Sequence, residues 1–247
     1  MITQYRFELS GAELLRSSDS YRLYGWLLQQ VPEEFGEMLH QQNLTPVSQH
    51  LTVSRTDGKC VWTVSLLGHS AQAQFMPLLD GLKQIDLHTG TYRTDCLERR
   101  SIASIQSLIA AVDSLPSEKR ITLQFCSPTS FKQNGRYMLF PQERLILQSL
   151  IAKWDEIFPD CPLRDPDAMQ MLEQGIRITD YQLRSARYAL KGTRIPGFVG
   201  TVTLDIDLSP PMRRIWNCLC MLAPFTGVGI KTALGMGGVQ QITREKK

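Results

Sequence analysis

Apolar positions along this chain switch between two periods, and the switches mark the elements. Residues 3–9 alternate as a short strand, and a Ser/Asp break follows at 17–20. From 21 to 40, Tyr24, Leu27, Leu28, Val31, Phe35, Met38 and Leu39 recur at spacings of three and four, one face of an amphipathic helix that Pro32 kinks or splits. Strands are predicted over 47–55 and 60–67, joined by a tight turn at Thr56-Asp57-Gly58, then a helix over 71–82 and a strand over 85–92. Residues 101–114, with Ile102, Ile105, Ile109 and Val112 on one helical face, connect to Pro116, where the first domain is expected to end.

The second half repeats the order. Residues 120–126 read as a strand, 142–158 as a helix burying Leu147, Leu150, Ile151, Trp154 and Phe158, and 160–167 as a Pro-rich break. Strands follow over 175–189 and 197–208. Ser209-Pro210-Pro211 then starts a helix with the stripe Met212, Ile215, Trp216, Leu219 and Cys220, and a last strand spans 237–243. Two runs of strand-helix-strand-strand-helix-strand predict an α+β protein of tandem ferredoxin-like domains, 1–116 and 117–247, each a four-stranded antiparallel sheet with helices on one face. Such a pair leaves a cleft.

Composition narrows the class. With 247 residues, 43% of them hydrophobic, the chain can bury one large core or two small ones. It has neither an apolar run of membrane-spanning length nor a signal-peptide pattern, so the expected location is cytoplasmic. Cys60, Cys96, Cys126, Cys161, Cys218 and Cys220 lie scattered in apolar surroundings without metal-ligand spacing and read as reduced core residues, with no metal site. Net charge is +3, unevenly spread: residues 175–247 hold eleven Lys and Arg against four Asp and Glu, a balance of +7, and the rest carries −4. A basic C-terminal third suggests a polyanionic partner.

The densest signal is 227–238, GVGIKTALGMGG, with glycine at 227, 229, 235, 237 and 238 around Lys231. Such crowding marks backbone that must approach something closely, with a phosphate backbone the leading candidate and a turn-making structural loop the alternative. It is no P-loop, because Ile230 separates Gly229 from Lys231-Thr232. It is no dinucleotide fingerprint either, because the glycines run from helix to strand.

Together with Ser127-Pro128-Thr129-Ser130-Phe131-Lys132, Gly197-Phe198-Val199-Gly200 and Leu39-His40, this stretch resembles the CRISPR-associated endoribonucleases of the RAMP superfamily, whose domains are RRM-like and which cut precursor CRISPR RNA within its repeats. The resemblance implies metal-independent cleavage without a cofactor, a ribose 2′-hydroxyl attacking the adjacent phosphate to leave a 2′,3′-cyclic phosphate and a 5′-hydroxyl. It implies CRISPR repeat RNA as partner, with further effector subunits and a homodimer as additional candidates. The chemistry needs a base, an acid and a cation for the phosphorane.

His40 stands where the family carries its histidine, and a helix C-terminus favours imidazolium, although the same position suits an exposed capping histidine. His50 is a second catalytic candidate; on its strand it shares a face with Ser48, Thr52 and Ser54, opposite Val47, Leu51 and Val53, and is expected to face solvent. His69 and His88 read as surface residues. The pattern departs from some family members, which carry a tyrosine on the first helix and a lysine soon after the histidine: Gly25 stands at the tyrosine place, and no lysine occurs between His40 and Lys59. Arg55 and Lys231 are candidates for the missing cation, and Tyr24 reads as core.

The expected RNA-binding set is Arg184, Arg187, Tyr188 (stacking on a base), Lys191, Arg213, Arg214, Gly227, Gly229, Lys231, Thr232, Gly235, Gly237 and Gly238. Arg213 and Arg214 begin a helix, where the dipole disfavours cations, which suggests an external anion. Two other readings stay open: a non-cleaving RNA-binding subunit of a CRISPR effector complex, and an enzyme acting on a small phosphorylated metabolite, for which ligand binding would depend weakly on salt.

Overall fold

The computed structural model describes residues 1–36, 45–54, 56–116 and 118–242. Its elements, in chain order, are β1 (Ile2–Gly11), α1 (Ser20–Leu28), β2 (Val47–Val53), β3 (Cys60–Leu67), α2 (His69–Asp80), β4 (Gln84–Leu87), β5 (Gly90–Ile102) and α3 (Ile105–Asp113). The second half holds β6 (Arg120–Thr129), a small hairpin β7 (Phe131–Gln133) and β8 (Arg136–Met138), α4 (Glu143–Ile157), α5 (Pro166–Gly175), β9 (Ile176–Leu190), β10 (Thr193–Ile206), α6 (Pro210–Thr226) and β11 (Val239–Ile242).

The first sheet has the order β2-β3-β1-β5-β4 and the second β11-β6-β10-β9. With β4 set aside as an extra edge strand, both are the antiparallel ferredoxin-like arrangement, the outer strands of each unit flanking the first and third. Tyr5, Phe7, Trp62 and Val64 face α1 and α2, where Leu23, Leu27, Phe75 and Leu79 complete one core. The second core gathers Leu123, Phe125, Val202 and Leu204 against Leu147, Leu150 and Ile151 of α4 and Trp216 and Leu219 of α6; Ile2, Leu67, Ile102 and, from α3, Leu108 and Val112 join it. The connecting helix therefore packs with the second core.

Several elements differ from the sequence pattern. The strand expected at 85–92 is the hairpin β4–β5, and β5 runs on to Ile102, into the stretch read as helical. Helix α5 occupies part of the Pro-rich segment: Pro166 sits in its first turn and Asp165 caps it by accepting from the Ala168 N–H at 2.8 Å. The helix drawn over 21–40 is split at Pro32, as expected: α1 stops at Leu28 and residues 33–36 are helical again, while residues 37–40 lie outside the described residues.

The other face of the first sheet is polar, carrying Gln4, Arg6, Ser48, His50, Thr63 and Ser65. Sequence patterning reads it as wet; most of it is buried against the second half. Gln4 donates to the Pro224 carbonyl at 2.8 Å and Gly238 packs on the His50 ring, so α6 and the glycine stretch close over it.

Candidate nucleic-acid interface

The glycine stretch leaves α6 at Gly227 (φ 67°), a backbone state open to glycine. Its approach is to this chain itself. A Cβ on Gly238 would lie 2.3 Å from the His50 ring, one on Gly235 2.2 Å from the Ser20 Cβ, one on Gly237 2.2 Å from the Val228 carbonyl oxygen, and one on Gly229 2.4 Å from that of Ser130. Gly227, Gly235, Gly237 and Gly238 are buried.

The loop amides are also committed. Gly229 N–H donates to Ser149 Oγ at 2.7 Å, Ile230 to the Ser130 carbonyl at 3.0 Å, Gly237 to that of Pro128 at 3.1 Å and Gly238 to Ser127 Oγ at 2.8 Å. Gly197 packs on the Thr129 carbonyl, where a Cβ would sit 2.3 Å away. The stretches 127–132, 197–200 and 227–238 thus form one packed unit, and the glycines serve first to let its backbones meet. What the loop turns outward is Lys231, exposed and held in the left-handed region (φ 57°) at the start of a short 3-10 turn, Thr232–Leu234.

Lys231 looks into a cavity of about 1140 Å³ between the two halves. Tyr21, Arg22, Tyr24 and Gly25 of α1 line one wall, Lys132 and Tyr137 of the small hairpin another, Lys153 and Glu156 of α4 a third, and Leu190 and Lys191 at the β9–β10 turn close the rim with Lys231 and Thr232. Among the described residues, five basic side chains and one carboxylate make it an anion-attracting cleft. Arg22 is oriented by Asp19 at 3.1 Å. Lys191 and Gly192, at φ 45° and 81°, form the two-residue turn that presents the lysine. Thr45 and Pro46, five and six residues after His40 in the sequence, line the same cavity.

Other expected site residues fall elsewhere. His40 and Arg55 lie outside the described residues. His50 is 4% exposed, not solvent-facing: the polar face it shares is covered by Gly238, its Nε2 has no partner among the described residues, and burial first, then the Arg6 charge, lowers its pKa to about 4. It does not line the cavity.

Tyr188 is 1% exposed among Ile195 and Met236, its hydroxyl bonded to the Leu234 carbonyl, so no ring face is free for a base. Arg214 answers Asp113 of α3, and Arg213 donates to the Leu208 carbonyl at 2.9 Å. Internal partners therefore account for cations at that helix start. Arg184 and Arg187 are exposed on edge strand β9, outside the cavity lining, and His69 and His88 are exposed. Tyr24 is buried, with burial raising its pKa. All six cysteines are free, but Cys96 and Cys161 are exposed rather than in the core.

Arg22, Lys132, Tyr137 and Lys153 are cavity residues that sequence patterning passes over. For Lys153 a signal exists: it follows Ile146 and Leu150 at spacings of four and three, a lysine within an apolar stripe. Lys132 closes the motif Ser127–Lys132; Arg22 and Tyr137 have no signal, since surface side chains converge only through the fold.

The fold of two ferredoxin-like units is shared with known proteins. Residues 123–239 match the family model described as CRISPR-associated endoribonuclease Cas6, a span that contains all three packed stretches from Ser127 to Gly238. The relatives of this chain are Cas6 endoribonucleases. The Cas6 of Streptococcus thermophilus is 27% identical over 227 residues, 89% of each chain. That of Mycobacterium tuberculosis is 28% identical over 224 residues, 88% of this chain and 70% of that one. A solved Cas6 product complex superposes with a TM-score of 0.77 at 25% identity, over 98% of this chain and 100% of that chain. Among the described residues, no helix is long and apolar enough to cross a membrane.

Proposed function

We propose that this protein is an endoribonuclease that cleaves CRISPR repeat RNA without a metal, by attack of a ribose 2′-hydroxyl on the neighbouring phosphate. The observation that carries the reading is the cleft between the two ferredoxin-like units, where, among the described residues, five basic side chains face one carboxylate, in a relative of Cas6 enzymes. A polyanion laid there neutralises charge that would otherwise repel itself. Tyr21 and Tyr137 on its walls offer rings for unpaired bases.

His40 is the proton carrier in this reading. His50, buried and with its pKa lowered to about 4, is neutral near pH 7 and lies off the cleft, so it takes no part in the chemistry. Arg22 and Lys231 offset the charge that grows on the phosphorane oxygens, standing in for the lysine absent between His40 and Lys59.

The test is incubation of cognate repeat RNA in EDTA with the wild type and with His40→Ala, binding being measured in parallel. A single cut leaving a 2′,3′-cyclic phosphate, lost in the variant with binding retained, is the expected result. Binding without any cut by the wild type would instead make the protein a non-cleaving RNA-binding subunit.

A further inference from the structure

Lys153 is an unusual group to find at the bottom of this cleft. It sits on α4 among apolar neighbours, 5% exposed, yet it lines the cavity. Its Nζ donates to the Gly227 carbonyl at 2.7 Å. Among the described residues it makes no ion pair, although Glu156 stands one turn further along the same helix.

An ammonium has three N–H donors, and burying it without a counter-charge is costly. Holding the loop does not require that cost: Ser149, one turn earlier on α4, ties Gly229 to the same helix with a neutral hydroxyl at 2.7 Å. The hydrogen bond to Gly227 fixes one proton of Lys153 and leaves two for the cavity.

We propose that Lys153 is an anion-binding residue, its ammonium taking a phosphate oxygen of the RNA backbone at the floor of the cleft. This rests on the reading of the cleft as an RNA site. In the free protein burial lowers the Lys153 pKa to about 7, so part of the population is uncharged at neutral pH, and a bound phosphate draws the proton back. Among the described residues, the other charged and titratable groups around the cavity are Arg22, Tyr21, Tyr24, Lys132, Tyr137, Glu156, Lys191 and Lys231. The pH dependence assigned to Lys153 is therefore the part that its replacement removes.

The experiment is equilibrium binding of repeat RNA, made uncleavable by a 2′-deoxy substitution at the cut, to the wild type, Lys153→Met and Lys153→Arg across salt and between pH 6 and 8.5. Lys153→Met is expected to bind roughly tenfold to a hundredfold more weakly near pH 6. Its plot of log affinity against log salt should be shallower by about 0.7. Wild-type affinity falls as pH rises through 7, and Lys153→Met lacks that part of the fall; Lys153→Arg keeps affinity without it.

Weaker binding with an unchanged salt slope would make Lys153 a prop for the loop and overturn the inference, as would unchanged affinity. Failure of the wild type to bind RNA would instead overturn the functional reading. Should Lys153→Met not fold, lysine 13Cε NMR of the wild type decides: saturating RNA raises the Lys153 titration midpoint by more than one pH unit, and an unmoved midpoint overturns the inference.

Discussion

Mild acid should loosen the joint between the two halves, and His50 sets the size of the effect. Its imidazole lies between the strands of the first sheet and Gly238, 4% exposed, with Nε2 unpartnered among the described residues and the Arg6 charge adding to the effect of burial. Burial holds its folded pKa at about 4, whereas the unfolded chain titrates near 6.5. Between those values the unfolded state binds the proton and the folded state does not, so stability is full above pH 6.5 and drops as pH falls towards 4. The full window corresponds to about 3 kcal/mol, of which about 2 kcal/mol is gone by pH 5. Urea unfolding at pH 7 and pH 5 measures it. The wild type should lose about 2 kcal/mol more than His50→Gln, whose side chain stays neutral. Equal losses in the two proteins would show that His50 is accessible when folded and would refute the packing of Gly238 upon it.

Two other expectations rest on the same geometry. Gly238→Ala places a methyl 2.3 Å from the His50 ring while Ser127 Oγ fixes the backbone, so stability should fall by about 1–3 kcal/mol in urea unfolding; an unchanged midpoint would contradict the packing. Lys231→Ala should weaken RNA binding and flatten its salt dependence by about 0.7, whereas Arg214→Ala, which breaks only the half-exposed pair with Asp113, should leave RNA affinity within about twofold; the opposite ranking would place the RNA on α6.

Elements with a strong apolar period and clear punctuation were legible in the chain. The Asp57-Gly58 hairpin, the α4 stripe from Leu147 to Trp154 and the Pro-started α6 are of that kind. Helix α5 was not, because its proline reads as a breaker until Asp165 is seen to cap it, and Leu172 is its sole buried residue. The β4–β5 hairpin hid because exposed charges such as Arg93, Asp95 and Arg99 carry no inward pattern.

The candidate site was half legible for a related reason. The glycines announce a close approach but not its object, which is Ser127–Ser130, Ser20 and His50 of the same chain. The polar face of His50 looked wet since one strand cannot reveal that a second domain covers it, and Tyr188 looked available for the same reason. Lys153 shows the converse, a cation whose burial only the folded cleft discloses.

The most direct measurement of the central claim compares two repeat RNAs in EDTA with the wild-type protein, one all-ribose and one carrying a single 2′-deoxy nucleotide immediately 5′ of the scissile phosphate. Cutting of the first at one position, with the second bound equally well and left intact, is the predicted result. Cutting of both RNAs, or cutting that appears only when a divalent metal is restored, would contradict it.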